Sequence, residues 1–559
     1  MNPGSKRLLP SLAVALLIFG ASPLTADETP AKVDRLFAQW DSTVSPGCAL
    51  AVIKDGQIIY KRGYGMAKLE DGIVMTPDKI FDIGSVSKQF TAALIAMLAR
   101  EGKISLDDDV HKYLPQLPRY ERPMTIRHLI HHTSGLRDYN LLLSLAGFRP
   151  ESDCPNVDEA LEVIFAQKRL NYPAGEEYSY TNSGYFLLGQ IVEMVSGKTL
   201  NEFAQERIFR PLGMAHTLYQ DNHLQVIKNR ATGYDQTDQG FQLNLSNWDE
   251  TGDGNVYTSV EDLYLWDQAF YNHKLGGELM EMLHEVGVLN DGKKLDYAFG
   301  LVVGEYKGLK NVGHGGAWAG FRAAISRFPE QKFSVICLAN LSSIEPSGLC
   351  HRVADIYLAG LLKEPAKEEK KKPEPVVLTP QELEQKTGNY RAEKTRTWVS
   401  LSRAEDKLRM AAFGREFILV PTSKTTFEVA LAPVPISLEF LPESPGQPPR
   451  ALLRARGEKR ILVKTKPLPS FKAAELREYA GEYLSEELLG ATYRLYIKND
   501  KLMVKFRSLP NIPLQPMTRD AFTADYASLD FVRHKGKTIT GFTLSAGRAA
   551  GIEFVKKRT

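Results

Sequence analysis

Apolar positions along the chain follow two rhythms, and the balance between them changes once. Near the N-terminal end, two apolar runs meet at Asp55-Gly56, a dipeptide that favours the tight turn of a β-hairpin. Much later, "FRAAISRF" (321–328) and "FSVICLANL" (333–341) read as two more strands joined by "PEQK". "DIYLAGLLK" (355–363) reads as a closing helix. Between these ends lie helical stretches, above all "GSVSKQFTAALIAMLA" (84–99), which is apolar or small at almost every position from Gln89 onward. Strands at both ends with helices between predict an α+β domain whose antiparallel sheet joins the N- and C-terminal segments.

The pattern then shifts. "KEPAKEEKKKPEPVV" (363–377) is charged and proline-rich and has nothing to bury, so it reads as a linker. Beyond it helical periodicity nearly vanishes and the chain repeats itself. "ELEQKTGNYRAE" (382–393) echoes "ELREYAGEYLSE" (475–486), Asp406-Lys407-Leu408 returns as Asp500-Lys501-Leu502, and Phe427 finds a counterpart in Phe522. Each unit predicts a short helix, a Gly-aromatic turn and alternating strands, the makings of a small antiparallel barrel or sandwich. The expected organisation is a leader over 1–26, an α+β domain over 27–362, a linker over 363–378, and two duplicated β-barrel-like domains over 379–468 and 469–559.

Composition narrows this picture. The chain has 559 residues, 43% hydrophobic and 25% charged, with a formal net charge of +3, so no nucleic-acid-binding surface is expected. Lys6 and Arg7, the apolar run "LLPSLAVALLIFG" (8–20) and the small-residue exit "ASPLTA" (21–26) predict a secretory leader. That leader implies a periplasmic or secreted protein with no integral membrane segment in the mature chain; an uncleaved anchor is the alternative. Cys48, Cys154, Cys337 and Cys350 lack metal-ligand spacing, and no cysteine chemistry is expected of them.

The candidate chemistry begins with a misplaced charge. Ser85 and Lys88 stand one turn apart, on one face, at the mouth of the most apolar helix. A serine hydroxyl needs a proton acceptor to become a nucleophile, and a lysine in an apolar setting has a lowered pKa that lets it relay a proton. Ser85, at a helix start, also offers a free backbone N–H to a developing oxyanion. A second element, "EEYSYTNSGYFLLGQIVEMVSGKTL" (176–200), sets Tyr180 and Asn182 just before a helix that stops at Gly197. A third, "VGHGGAWAGFRAAISRF" (312–328), leads His314-Gly315-Gly316 into a strand where the missing side chains let a ligand approach the backbone. Three other features are set aside as structural: His128, His131 and His132 in "HLIHH", the run Asp107 to Asp109, and the glycine-rich "NWDETGDGNVYTS" (247–259), which is no phosphate loop but is a candidate cleft wall.

In this order the three elements resemble the serine β-lactamase and penicillin-binding-protein superfamily. They are most similar to its class C-like branch, with D-alanyl-D-alanine carboxypeptidases, D-aminopeptidases and β-lactamase-related esterases. The resemblance covers about 35–362, and the paired C-terminal modules are similar to the barrels of D-aminopeptidase relatives. It implies Ser85 as the acylated nucleophile, Lys88 and Tyr180 as proton-transfer groups, and Asn182 as a holder of Lys88 and of the substrate. It further implies an oxyanion hole from the N–H groups of Ser85 and Ala317, substrate contacts at His314, Gly315 and Gly316, and neither cofactor nor metal. Where β-lactamases usually carry Lys-Thr-Gly this chain has His314-Gly315-Gly316, which weakens the hold on a substrate carboxylate. The expected function is thus an exported serine hydrolase of small or peptide substrates, some of them cell-wall-derived, with D-amino-acid peptides or amides favoured. A related carboxylesterase, a weak β-lactamase and a non-catalytic peptidoglycan-binding or scaffold protein are the alternatives.

Overall fold

The structure, a computed structural model, describes residues 28–149, 152–363, 376, 378–393, 396–412, 415–429, 436–455, 458–466, 471–507, 510–524 and 527–558. The leader reading and nearly all of the predicted linker lie outside these residues. Among the described residues, no helix is long and apolar enough to cross a membrane.

A six-stranded antiparallel sheet forms the frame of the first domain, in the order Val302–Tyr306, Leu309–Trp318, Phe321–Phe328, Phe333–Ala339, Cys48–Lys54, Gln57–Tyr64. The N-terminal hairpin is therefore sewn to the last strand, with Cys48 opposite Ala339 and Lys54 opposite Phe333. Asp55 and Gly56 turn the hairpin with φ of 49° and 80°, the left-handed pair such a turn requires. The strand Cys48–Lys54 is buried on both faces, and its alternation sorts its residues into two cores. Ala49, Ala51 and Ile53 face the layer built around the helices Lys88–Arg100 and Asn182–Ser196. Cys48, Leu50 and Val52 face the helices Thr29–Phe37 and Pro346–Tyr357. The closing helix lies earlier than "DIYLAGLLK" predicts. It starts at Pro346 and ends at Tyr357, because proline is favoured in a helix's first turn and the apolar residues that face the sheet, Leu349, Cys350, Val353 and Ala354, belong to that span.

The duplicated C-terminal segments form two closed eight-stranded antiparallel barrels, the first over 388–464 and the second over 481–556. Their equivalence extends to single hydrogen bonds. Tyr390 donates to the carbonyl of Lys386, and Tyr483 to that of Tyr479. Lys464 lies over the Tyr390 ring and donates to Gln385, while Lys556 lies over the Tyr483 ring and donates to Glu478. A Cβ on Gly388 or on Gly481 would press into the stem of that same lysine, and both residues have positive φ, so glycine is required twice for one reason.

The second barrel docks on the first domain, and one apolar core runs through both. At the centre of the interface Arg137 pairs with Glu487 at 2.6 Å, each side chain 1% exposed. Glu487 also accepts from the Lys168 and Glu553 N–H groups. The Tyr493 hydroxyl bonds the Leu145 carbonyl, and the turn at Arg548 bonds Asn171 in both directions. The first barrel leans on the second through Arg391 with Asp530 and the cluster Trp398, Met517 and Ala521. A buried ion pair stripped of one member leaves an uncompensated charge that costs about 3–5 kcal/mol. Glu487→Ala is therefore expected to release the second barrel as a separate, lower-temperature transition in calorimetry of the intact chain, whereas the exposed pair Arg169–Glu553 should tolerate loss of either partner.

Candidate active site

Ser85 sits on a short 3₁₀ turn, Gly84–Ser87, that runs directly into the helix Lys88–Arg100. The turn is held by the buried carboxylate of Asp82, which accepts the Gly84 N–H at 2.8 Å. Gly84 has φ of +49°, and a Cβ there would come within 2.8 Å of the Ala317 nitrogen; a Cβ on Gly316 would collide with the Ile83 carbonyl. These two glycines let the nucleophile turn and the strand Leu309–Trp318 touch backbone to backbone, so that Ser85 and Ala317 line one cleft.

Lys88 is fully buried and spends its ammonium on three acceptors: Ser85 Oγ at 3.1 Å, Asn182 Oδ1 at 3.0 Å and the Asp253 carbonyl at 2.6 Å. Asn182 opens its helix and is fixed by its own N–H, which donates to Asp138 Oδ2 at 2.9 Å. Asp138 caps the neighbouring helix Tyr139–Ala146 and pairs with Arg548, which reaches in from the second barrel. Arg548 also donates to the Tyr180 carbonyl at 3.2 Å. The Tyr180 ring lies 5.1 Å from Lys88 Nζ and packs on His132, centroid to centroid 4.1 Å. Its hydroxyl is shielded from solvent and close enough to Ser85 to be influenced by it, without a well-aligned bond.

Burial dominates the electrostatics. It pushes Lys88 down to about 8, against the carboxylates of Asp253 and Asp138, which favour its charge, while Arg548 adds to the depression. Burial pushes the Tyr180 phenol up; Ser85 and Arg548 pull it back down. Asp253 is raised to about 6 by burial despite the charge of Lys88. His314 falls to about 4 through burial and the nearby Lys88, so it is neutral near pH 7. The charges of Lys88 and Asp253 act on each other, so their titrations belong to the pair rather than to either residue.

The cleft, about 360 Å³, is lined by Ser85, Asn182 and Ala317 together with Tyr139, Asn140, Trp248, Glu250, Asp253 and Trp318. His314, Gly315 and Gly316, on the same strand as Ala317, are not among the residues lining it. His314 is engaged with the Tyr297 hydroxyl at 3.1 Å, Gly315 faces Ser347, and Gly316 faces the Ile83 carbonyl. The loop suspected as a cleft wall supplies Trp248, Glu250, Asp253, Gly254 and Asn255. Asp138, Asn140 and Arg548 carry no motif of their own, and no local signal in the sequence points to them.

The histidines set aside as structural have structural partners. His128 completes a capping box with Thr125, His131 bonds the Tyr297 carbonyl, and His132 accepts the Thr181 N–H beneath Tyr180. Asp108 and Asp109 tie down a turn and a short 3₁₀ helix, and Asp107 pairs with Arg127. All four cysteines are free. Exposed Cys154 lies 3.6 Å from Nδ1 of His223, and that same nitrogen meets Asp249 at 2.9 Å, which leaves no second ring nitrogen inside the trio to pass a proton.

Residues 33–355 match the Beta-lactamase family. The chain is 32% identical to a D-aminopeptidase of Brucella anthropi over 302 residues, 53% of this chain and 56% of that protein. It is 31% identical to a D-aminopeptidase of Gluconobacter oxydans over 346 residues, 61% of this chain and 64% of that one. The chain thus spans less than two thirds of the curated relatives it matches. Among solved structures, an octameric penicillin-binding protein homologue from Pyrococcus abyssi superposes with a TM-score of 0.55 at 26% identity, covering 78% of this chain and 99% of its own.

Because Lys88 is the buried lysine pushed down to about 8, lysine side-chain NMR of the intact protein should show one resonance titrating near pH 8, far below the ordinary lysine range. Arg548→Ala removes a neighbouring positive charge, which stabilises the protonated amine and shifts that midpoint upward; an unchanged midpoint would break the link between barrel and site.

Proposed function

The chain belongs to the Beta-lactamase family, and from that premise we propose that it is a serine hydrolase acting through an acyl-enzyme on Ser85, with amides and short peptides of D-amino acids as its substrates. The observation that carries this reading is the Lys88 ammonium held between Ser85 Oγ and Asn182 Oδ1. Ser85 Oγ attacks the substrate carbonyl carbon while its proton passes into the Lys88–Tyr180 pair. The N–H groups of Ser85 and Ala317 receive the oxyanion, and the proton then returns to the departing amine or alcohol as the C–N or C–O bond breaks. Water, activated by the same pair, hydrolyses the acyl-serine and restores the hydroxyl.

Two features support an amine-bearing substrate over a β-lactam or a peptide recognised by its carboxylate. His314, at the position of the usual lysine, is neutral near pH 7, and the residues lining the cleft include two acids but no lysine, arginine or histidine. The D-aminopeptidase relatives point the same way. Esters of similar size fit the same chemistry. The leader read at 1–26 supports a reaction in the periplasm or outside the cell.

A fluorophosphonate is expected to add one equivalent to the intact protein at Ser85, seen by mass spectrometry, and Ser85→Ala to abolish both adduct and turnover, a loss on the order of 10⁶-fold in kcat for a serine nucleophile. In a panel of substrates, D-alaninamide should outrun nitrocefin. Absence of any adduct, together with no turnover across amides, esters and β-lactams, would end the hydrolase reading in favour of a binding protein.

A further inference from the structure

The cleft beside Ser85 contains hydrogen-bonding atoms without partners. Glu250 is 3% exposed, and both of its carboxylate oxygens are buried and unbonded among the described residues. The Asn140 side-chain carbonyl is equally shielded and unbonded, as is the indole N–H of Trp248. All three residues line the cleft with the nucleophile. An unpaired buried acceptor is normally eliminated from a folded protein because it gives up water and gains nothing. Here, among the described residues, three acceptor atoms and one donor have no partner in one small cleft.

The charged surroundings specify the missing partner. The groups that act on Glu250 are the carboxylates of Asp253 and Asp249 on its own loop and of Glu159 on the facing helix Val157–Phe165. Glu250 in turn acts on the Tyr139 phenol and the Cys154 thiol, and none of these neighbours is cationic. A carboxylate ligand would be repelled by these acids, whereas a ligand with several N–H donors can meet the open oxygens, and a cationic one also favours the ionised form of Glu250. A small cation with N–H donors does both at once.

We propose that Glu250, assisted by the Asn140 side-chain carbonyl, is the anchor for the substrate's free α-ammonium group, and so the residue that selects amino-acid amides over their des-amino counterparts. This assignment rests on the hydrolase reading of the cleft: in an α-amino amide the ammonium is one carbon from the scissile carbonyl, so its anchor must share the cleft of Ser85. The Trp248 N–H is left to a substrate oxygen. In the empty cleft burial, reinforced by Asp253, Asp249 and Glu159, raises Glu250 to about 8 and keeps it protonated near neutrality. An arriving ammonium favours the carboxylate, so below pH 8 binding expels about one proton and affinity climbs with pH until the amine itself loses its charge.

The test is calorimetric titration of the intact Ser85→Ala protein with D-phenylalaninamide and with 3-phenylpropanamide, at pH 7 in two buffers of different ionisation enthalpy. The amine-bearing amide should bind at least ~10-fold more tightly and release about one proton. Glu250→Gln, which copies the shape of the protonated acid, should erase both the preference and the proton. Glu250→Asp, which withdraws the carboxyl, should weaken the preference while keeping the proton release. Equal affinities for the two amides, or a preference that survives Glu250→Gln, overturns the assignment. If neither amide binds while fluorophosphonate still labels Ser85 of the unmodified protein, the anchor alone is wrong; if labelling fails too, the hydrolase reading falls with it.

Discussion

Everything at this site depends on keeping the Lys88 ammonium out of water. Moving a lysine from its ordinary range down to about 8 corresponds to about 3 kcal/mol against the charged form. Hydrogen bonds to a charged donor contribute about 1.5–3 kcal/mol each, so the loss of any one of its acceptors would make the buried ammonium markedly harder to keep. Those acceptors come from three separate segments: the nucleophile turn, the start of the helix Asn182–Ser196, and the loop at Asp253. Satisfying one buried charge thus assembles the cleft, and the residues around it read as supports for that convergence. Asp138 pins Asn182, Tyr139 bonds the Asp253 carboxylate, and His132 backs Tyr180.

This dependence explains which parts of the site were legible in the sequence. Ser85 with Lys88, and Tyr180 with Asn182, announce themselves because each pair is local and each sits where an apolar helix begins. The antiparallel frame was legible for a similar reason, since strand alternation and the Asp55-Gly56 turn are short-range signals. The links between pairs are not local. Asp253 serves Lys88 through its backbone carbonyl, a group every residue has, so nothing about the side chain could flag it. Asp138 and Asn140 belong to the site only because distant segments fold onto one wall, and their residue types are unremarkable where they stand, whereas Glu250 lies in the glycine-rich loop already read as a candidate cleft wall. His314 stands where the family's usual lysine would be, yet burial leaves it neutral and turned toward Tyr297.

The duplicated barrels make the same point in another way. They share the tyrosine and lysine bonds described above, yet among the described residues it is the second that docks on the first domain. The repeat "GNYRAEK" (388–394) aligns with "GEYLSEE" (481–487), which sets Lys394 opposite Glu487 in the alignment. A lysine at the Glu487 position would face Arg137 with like charge in a dry interface, where the present pair is 1% exposed on both sides.

That anchoring also carries charge into the site. The buried carboxylates around the nucleophile, Asp82, Asp138, Glu250 and Asp253, outnumber the single ammonium of Lys88. Protonation relieves part of the imbalance, since Asp82 and Glu250 are raised to about 7 and about 8 by their burial. Arg548 relieves another part from outside the catalytic domain, by pairing with Asp138 while holding the Tyr180 carbonyl. The same guanidinium lowers the lysine and opposes the upward shift of the tyrosine, so it favours the proton-poor state that the proposed acylation of Ser85 would use. The second barrel thus contributes to the site's electrostatics through Arg548, and the buried pair Arg137–Glu487 belongs to the same interface with the first domain.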